Sequence, residues 1–90
     1  MIKIHRDEIK KASARVADEA VEFLRDIIRI PSVSGDESKV VAAIESRMKS
    51  VGFDEAKIDK FGNVLGRIGS GKHVIAFDAH VDTVDVGDIR

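Results

Sequence analysis

The apolar run Val74-Ile75-Ala76-Phe77 and the polar motif His80-Val81-Asp82-Thr83 that follows it decide the predicted fold. The run is apolar without alternation and follows a glycine-rich turn, which predicts a strand with both faces buried over His73 to Phe77. Residues i and i+2 of an extended chain point to the same side, so His80 and Asp82 would share one face. The motif therefore lies where a buried strand ends, the place where open α/β sheets bind ligands.

Two helices are predicted before this strand. Apolar residues recur with three-and-four spacing from Asp7 to Ile30, and Pro31 would end that helix because proline disfavours helical geometry in the preceding residue. The second helix should start near Gly35, since Ser34 and Glu37 have the spacing of a capping box, and should end where a glycine provides a left-handed cap. The cap of this second helix would be Gly52, and its apolar stripe would consist of Val40, Val41, Ile44, Met48 and Val51.

Two short strands are predicted between the second helix and the buried run. They cover Glu55 to Asp59 and Asn63 to Ile68, joined by the hairpin connection Lys60-Phe61-Gly62. The order helix, helix, strand, strand, strand predicts an α/β fold. The last strand would lack a partner on at least one face or edge, so the fold is expected to be incomplete as given.

Composition excludes several classes of function. With 15 basic and 16 acidic residues the net charge is -1, so no electrostatic footprint favours nucleic acid or an anionic membrane. The absence of cysteine excludes disulfides, thiolate zinc sites and a cysteine nucleophile. The N-terminus lacks the apolar core of a signal peptide and no run approaches membrane-spanning length, so a cytoplasmic protein is expected.

Three chemistries other than a metal site have weaker support. The segment from Gly66 to Lys72 has the glycine and lysine spacing of a phosphate-binding loop, but His73 replaces the required hydroxyl and a strand, not a helix, is predicted to follow. Ser32 or Ser34 could be a nucleophile with His80 as base, but no nucleophile elbow surrounds either serine. A cluster of four aspartates could bind a hard cation such as calcium, but its spacing does not match the known calcium loop, and solvated loop carboxylates explain it better. These residues are Asp78, Asp82, Asp85 and Asp88.

A metal site at His80 and Asp82 is the stronger candidate. A ligating histidine usually donates its second ring N–H to a carboxylate, which fixes the tautomer. Spacing alone favours a plain hydrogen bond in a loop, but at the mouth of a buried strand desolvation must be offset by pairing or metal coordination. A catalytic zinc needs about three protein ligands, so the remaining ligands are expected beyond Arg90.

Three motifs resemble one enzyme family: Ile30-Pro31-Ser32-Val33-Ser34-Gly35-Asp36-Glu37, Gly62-Asn63-Val64 and Ala79-His80-Val81-Asp82-Thr83-Val84. Their order and spacing resemble the N-terminal part of the metallopeptidase family that includes aminoacylase, acetylornithine deacetylase and succinyl-diaminopimelate desuccinylase. We call it the desuccinylase family. The segment from Val51 to Asp88 is most similar to the branch of hydrolases associated with selenium metabolism. One departure is Asp85, which stands where the family often has proline.

The resemblance implies a catalytic α/β domain with a two-zinc centre, interrupted by a smaller lid domain that often mediates dimerisation. Residues 1–90 would be the N-terminal fragment of that zinc-peptidase-like domain, two helices then three strands, without the lid. His80 would ligate one zinc and Asp82 would orient it. The other ligands and the general base would lie further along such a chain, and cobalt or manganese are alternative metals.

The resemblance also implies a reaction. The intact enzyme would cleave amide bonds of N-acyl amino acids or peptides by zinc-activated water, and it is expected to be a homo-oligomer. The 90-residue chain alone is expected to be inactive and to self-associate through its unpaired strand. The alternative is a non-catalytic small α/β interaction module without metal, in which His80 and Asp82 form a plain hydrogen bond.

Overall fold

The first helix, α1, spans Arg6–Ile28 and confirms the predicted amphipathic helix, which ends two residues earlier than expected. The computed structural model describes residues 5–32 and 35–82. The N–H groups of Arg29 and Ile30 still donate to the carbonyl oxygens of Arg25 and Ile27 before the chain reaches Pro31. No residue of α1 is buried. Its apolar stripe is therefore largely exposed to solvent, at Ile9, Val16, Val21, Leu24 and Ile28.

The second helix, α2, spans Ser38–Ser50 and begins three residues later than predicted. Glu37 occupies the N-cap position, and its Oε1 accepts a hydrogen bond from the N–H of Gly35 at 3.0 Å. Because this bond lies before the helix, Glu37 closes a turn instead of belonging to the first helical turn. Ser34, the other half of the predicted capping box, lies outside the described residues.

The C-terminus of α2 confirms the predicted glycine cap. Gly52 has φ 95°, a left-handed conformation that glycine adopts without steric cost. Its N–H donates to the Lys49 carbonyl oxygen at 3.2 Å, and the Phe53 N–H donates to the Met48 carbonyl oxygen at 3.0 Å. These two bonds form a Schellman motif, which satisfies carbonyls that the helix leaves unpaired and directs the chain into the next strand.

The chain next forms an antiparallel hairpin of β1, Glu55–Ile58, and β2, Val64–Arg67. Ile58 pairs with Val64 at the turn, and Glu55 pairs with Arg67 at the open end. The two predicted strands are thus confirmed, each slightly shorter than expected. The hairpin packs on α2, and Gly66 lies at the contact, where an added Cβ would be 2.7 Å from Met48 Sδ and 2.8 Å from the Phe53 ring.

The buried apolar core of the described residues is small. It consists of Val40 and Val41 on the inner face of α2, with Ser32 as a buried polar neighbour. The helix α1 contacts α2 near Arg47, whose guanidinium lies 3.6 Å from a Glu19 carboxylate oxygen and 5.5 Å from the centroid of the Phe23 ring. These exposed contacts contribute little to stability. Most of the apolar stripe of α1 remains uncovered.

The predicted third strand, His73 to Phe77, is wrong for this structure. Within residues 5–32 and 35–82 the sheet has two strands, and the 73–77 segment is extended chain without strand pairing. Val74 is 86% exposed and Phe77 is 95% exposed, so neither face of the segment is buried. The physical reason is that a strand forms only by pairing with a neighbour, and no other described segment pairs with this one.

In the part of the chain that the structure describes, helices and a hairpin account for the regular structure, in the order α1, α2, β1, β2. This arrangement agrees with the predicted mixture of helix and strand. None of the described helices has the length and apolar content that crossing a membrane would require.

Candidate functional site

His80 and Asp82 meet as the sequence predicts. The Nδ1 atom of His80 lies 3.1 Å from Asp82 Oδ1 and 3.0 Å from the Asp82 main-chain oxygen. Both neighbours are acceptors when the carboxyl is ionised, so they favour the tautomer with the proton on Nδ1. That tautomer leaves the lone pair on Nε2, the nitrogen that a metal ion would use.

The imidazole is exposed, contrary to the expected desolvated strand end. The side chain of His80 is 85% exposed and that of Asp82 is 39% exposed. The difference follows from the missing third strand, because the extended segment before His80 is not covered on either face. The pair is therefore held by the hydrogen bond between the two side chains and by the contact that the main chain of Val81, the residue between them, makes with Ser32.

A cleft of about 500 Å³ brings the pair together with distant parts of the chain. One wall is the hairpin turn from Phe61 to Leu65, a second is formed by Glu37 and Val41 at the start of α2, and the third is the segment from Phe77 to Asp82. All three motifs that carry the family resemblance thus contribute lining residues. They are up to 45 residues apart in sequence, from Glu37 to Asp82, and only folding places them in one cleft.

Ser32 connects the first motif directly to the last. Its Oγ–H donates to the Val81 carbonyl oxygen at 3.2 Å across 49 residues of sequence. The side chain is 1% exposed. The sequence had raised Ser32 only as a nucleophile, and a hydroxyl that already donates to a main-chain carbonyl beside His80 does not form the predicted serine–histidine pair with it.

The turn that forms one wall of the cleft is held by Asp59. A single oxygen of its carboxylate accepts hydrogen bonds from the N–H groups of Phe61 and Asn63, each at 2.9 Å. These bonds, foremost that from the Asn63 backbone, lower the pKa of Asp59 below its ordinary value despite a smaller opposing effect of burial. Gly62 completes the turn with φ 88°.

The phosphate-loop alternative finds no support in the structure. The N–H of Gly69, which a phosphate would need, donates to Asp54 Oδ2 at 2.6 Å. The Arg67 guanidinium donates to the Gly69 carbonyl oxygen and also contacts Glu55. Because Gly66 and Arg67 belong to β2, the segment closes the open end of the hairpin. No helix follows it among the described residues.

No group of three or more metal-ligating side chains is assembled within residues 5–32 and 35–82. His80 itself fits a metal ligand, since its Nδ1 is paired with a carboxylate and its exposed side chain lines the cleft. Asp78 lies at the same cleft, whereas Asp85 and Asp88 of the predicted acidic cluster lie outside the described residues.

Comparison with known proteins shows clear relatives. The chain is 50% identical over 82 residues, 91% of its length, to the uncharacterized protein YgeY of Escherichia coli K12. It is 42% identical over 81% of its length to the LysW-lysine hydrolase of Deinococcus radiodurans and 34% identical over 74% of its length to the succinyl-diaminopimelate desuccinylase of Dinoroseobacter shibae. The chain belongs to the desuccinylase family. The family predicted from the three motifs is therefore confirmed.

The aligned part is a small share of each relative. The chain spans about one fifth of the length of the curated relatives it matches. No protein-family model matches the chain, and no solved structure matches it. Membership of the desuccinylase family accordingly makes the chain a relative of hydrolases, while the zinc-peptidase-like architecture, the two-zinc centre and the roles of His80 and Asp82 stay predictions.

Proposed function

We propose that this chain is part of a metal-dependent hydrolase that cleaves amide bonds of N-acyl amino acids or peptides. The observation that carries the proposal is the convergence of the three family motifs on one cleft, with the His80–Asp82 pair on its wall. A concave cleft with several convergent polar groups is the usual form of a candidate active site. The names of the hydrolase and desuccinylase relatives support the same reaction class.

In this proposal His80 holds one of two zinc ions through Nε2. Asp82 accepts the Nδ1 proton, which fixes the imidazole and increases the basicity of the ligating nitrogen. When bound, zinc supplies Lewis-acid activation of water and of the amide carbonyl. The hairpin turn and the start of α2 form the other walls of the cleft and restrict how a substrate approaches the pair.

The further ligands and the general base are proposed to lie outside residues 1–90. The described part of the chain brings together no group of three ligating side chains, and a catalytic zinc needs about three. The isolated 90-residue chain should consequently be inactive. Incubation of that chain with zinc and N-acyl amino acids checks this expectation, and robust turnover would contradict it.

Titration calorimetry of the full-length protein with zinc is the decisive experiment. We expect two tightly bound equivalents, with His80→Ala losing one and Asp82→Asn weakening that same site by about 10- to 100-fold. His73→Ala is the matched control, since His73 is exposed and does not line the cleft. It should bind two equivalents.

Two results would refute the proposal. Retention of both equivalents by His80→Ala would remove His80 from the metal site. Failure of the unaltered protein to bind any metal would instead favour the non-catalytic interaction module, in which the hydrogen bond between His80 and Asp82 is structural only.

A further inference from the structure

Ser32 is the buried polar side chain of the described residues, with 1% of its surface exposed. Burial of a hydroxyl is unfavourable unless it forms hydrogen bonds, and one of its contacts is the 3.2 Å bond to the Val81 carbonyl oxygen. This bond joins the linker between α1 and α2 to a segment 49 residues away. The segment has no helix or strand of its own, so such contacts determine where its backbone lies.

The bonded carbonyl lies between the two residues of the proposed metal site. His80 Nδ1 contacts both the carboxylate and the main-chain oxygen of Asp82, so the geometry of the pair depends on the backbone conformation at Val81. A change in the orientation of the Val81 peptide would move the Asp82 oxygen relative to the imidazole. Because the imidazole is exposed, packing does not restrain it in place of that contact.

We propose that Ser32 is a positioning residue for the metal site: its hydroxyl holds the Val81 peptide and thereby keeps His80 and Asp82 in the arrangement that presents Nε2 to zinc. This inference rests on the proposed function. It differs from the predicted nucleophile, since the hydroxyl acts through its hydrogen bond to the Val81 carbonyl oxygen. At 3.2 Å the bond is longer than the usual 2.7–2.8 Å for O–H···O, so a moderate effect is expected.

The test is zinc affinity, measured on the full-length protein by competition with a chromogenic chelator. We expect Ser32→Ala to weaken the site that His80→Ala abolishes by about tenfold, the lower end of the range for residues that support a metal ligand. The other zinc equivalent should bind unchanged. Ser32→Thr, which keeps the hydroxyl, should restore most of the affinity.

Val40→Ala is the control for a general loss of stability. Val40 is 2% exposed and does not line the cleft, so this variant should lower the unfolding temperature while zinc affinity stays within about twofold. If Ser32→Ala does not fold, Ser32→Cys, of similar shape but with a weak S–H donor, should show the same loss of affinity.

The outcomes separate the inference from the function on which it rests. Unchanged zinc affinity in a folded Ser32→Ala or Ser32→Cys protein would overturn the positioning role alone. An equal loss of zinc affinity in Val40→Ala would show that the effect of Ser32→Ala comes from a general loss of stability, and it would overturn the positioning role as well. Absence of zinc binding by the unaltered protein would overturn the proposed function together with the inference.

Discussion

Replacement of Gly66 by alanine tests how the hairpin packs on α2. Gly66 lies in β2 opposite Ala56, and its backbone passes close to the end of the helix. A Cβ built there would lie 2.7 Å from Met48 Sδ and 2.8 Å from two carbons of the Phe53 ring, well inside van der Waals contact. The thioether can move, but the Phe53 backbone is fixed by the hydrogen bond that its N–H donates to the Met48 carbonyl oxygen, which limits how far the ring can shift.

Two opposing effects determine the size of the change. Alanine reduces the conformational entropy of the unfolded chain, which stabilises the protein by about 0.4–1 kcal/mol where the native conformation allows it. Insertion of a methyl group into a filled contact costs about 1–3 kcal/mol through displaced side chains and backbone shifts. The packing cost is the larger effect, so we expect Gly66→Ala to lower the free energy of unfolding by about 0.5–2 kcal/mol.

Urea denaturation followed by circular dichroism measures this difference from the shift in midpoint at constant slope. Gly71→Ala is the matched control, because Gly71 has no positive φ and a Cβ there would meet no atom within 4 Å. It should be neutral or slightly stabilising, by up to about 1 kcal/mol. A Gly66→Ala protein as stable as the unaltered one would refute the packing of the hairpin on Met48 and Phe53.

Two other predictions concern acid stability and association. The lowered pKa of Asp59 means that its carboxylate stabilises the turn at pH above the ordinary aspartate value of about 3.9, and that this stabilisation is lost as pH falls through the lower folded-state pKa. The difference in unfolding free energy between the unaltered protein and Asp59→Asn should therefore shrink as the pH falls below the ordinary aspartate value of about 3.9, and a pH-independent difference would contradict this. The exposed apolar segment at Val74, Ile75 and Phe77 should make the isolated 90-residue chain self-associate, with Ile75→Lys reducing the effect in sedimentation velocity runs. A clean monomer of the unaltered chain at high concentration would contradict it.

Features that depend on near neighbours in sequence were predictable. The cap at Gly52 requires a left-handed residue and bonds only to the last turn of its own helix. The hairpin connection around Gly62 likewise closes through Asp59, three residues away. The start of α2 was predicted three residues too early because Glu37 fits both a capping box and a turn, and its bond to Gly35 favours the turn.

The segment from His73 to Phe77 shows where local pattern fails. Its apolar composition resembles a buried strand, but pairing is a property of two segments, and within the described residues no second segment pairs with it. The burial predicted for His80 was wrong for the same reason, since a residue at a strand end is buried only where the strand is covered.

By itself the sequence determined both helices, the hairpin, the pairing of His80 with Asp82 and the family, because each depends on spacing within a short stretch or on motif order. Only the tertiary structure decided that the three motifs line one cleft and that Ser32 bonds to Val81. Such contacts join residues up to 49 positions apart. They depend on how separate segments pack against one another, which periodicity and spacing do not encode.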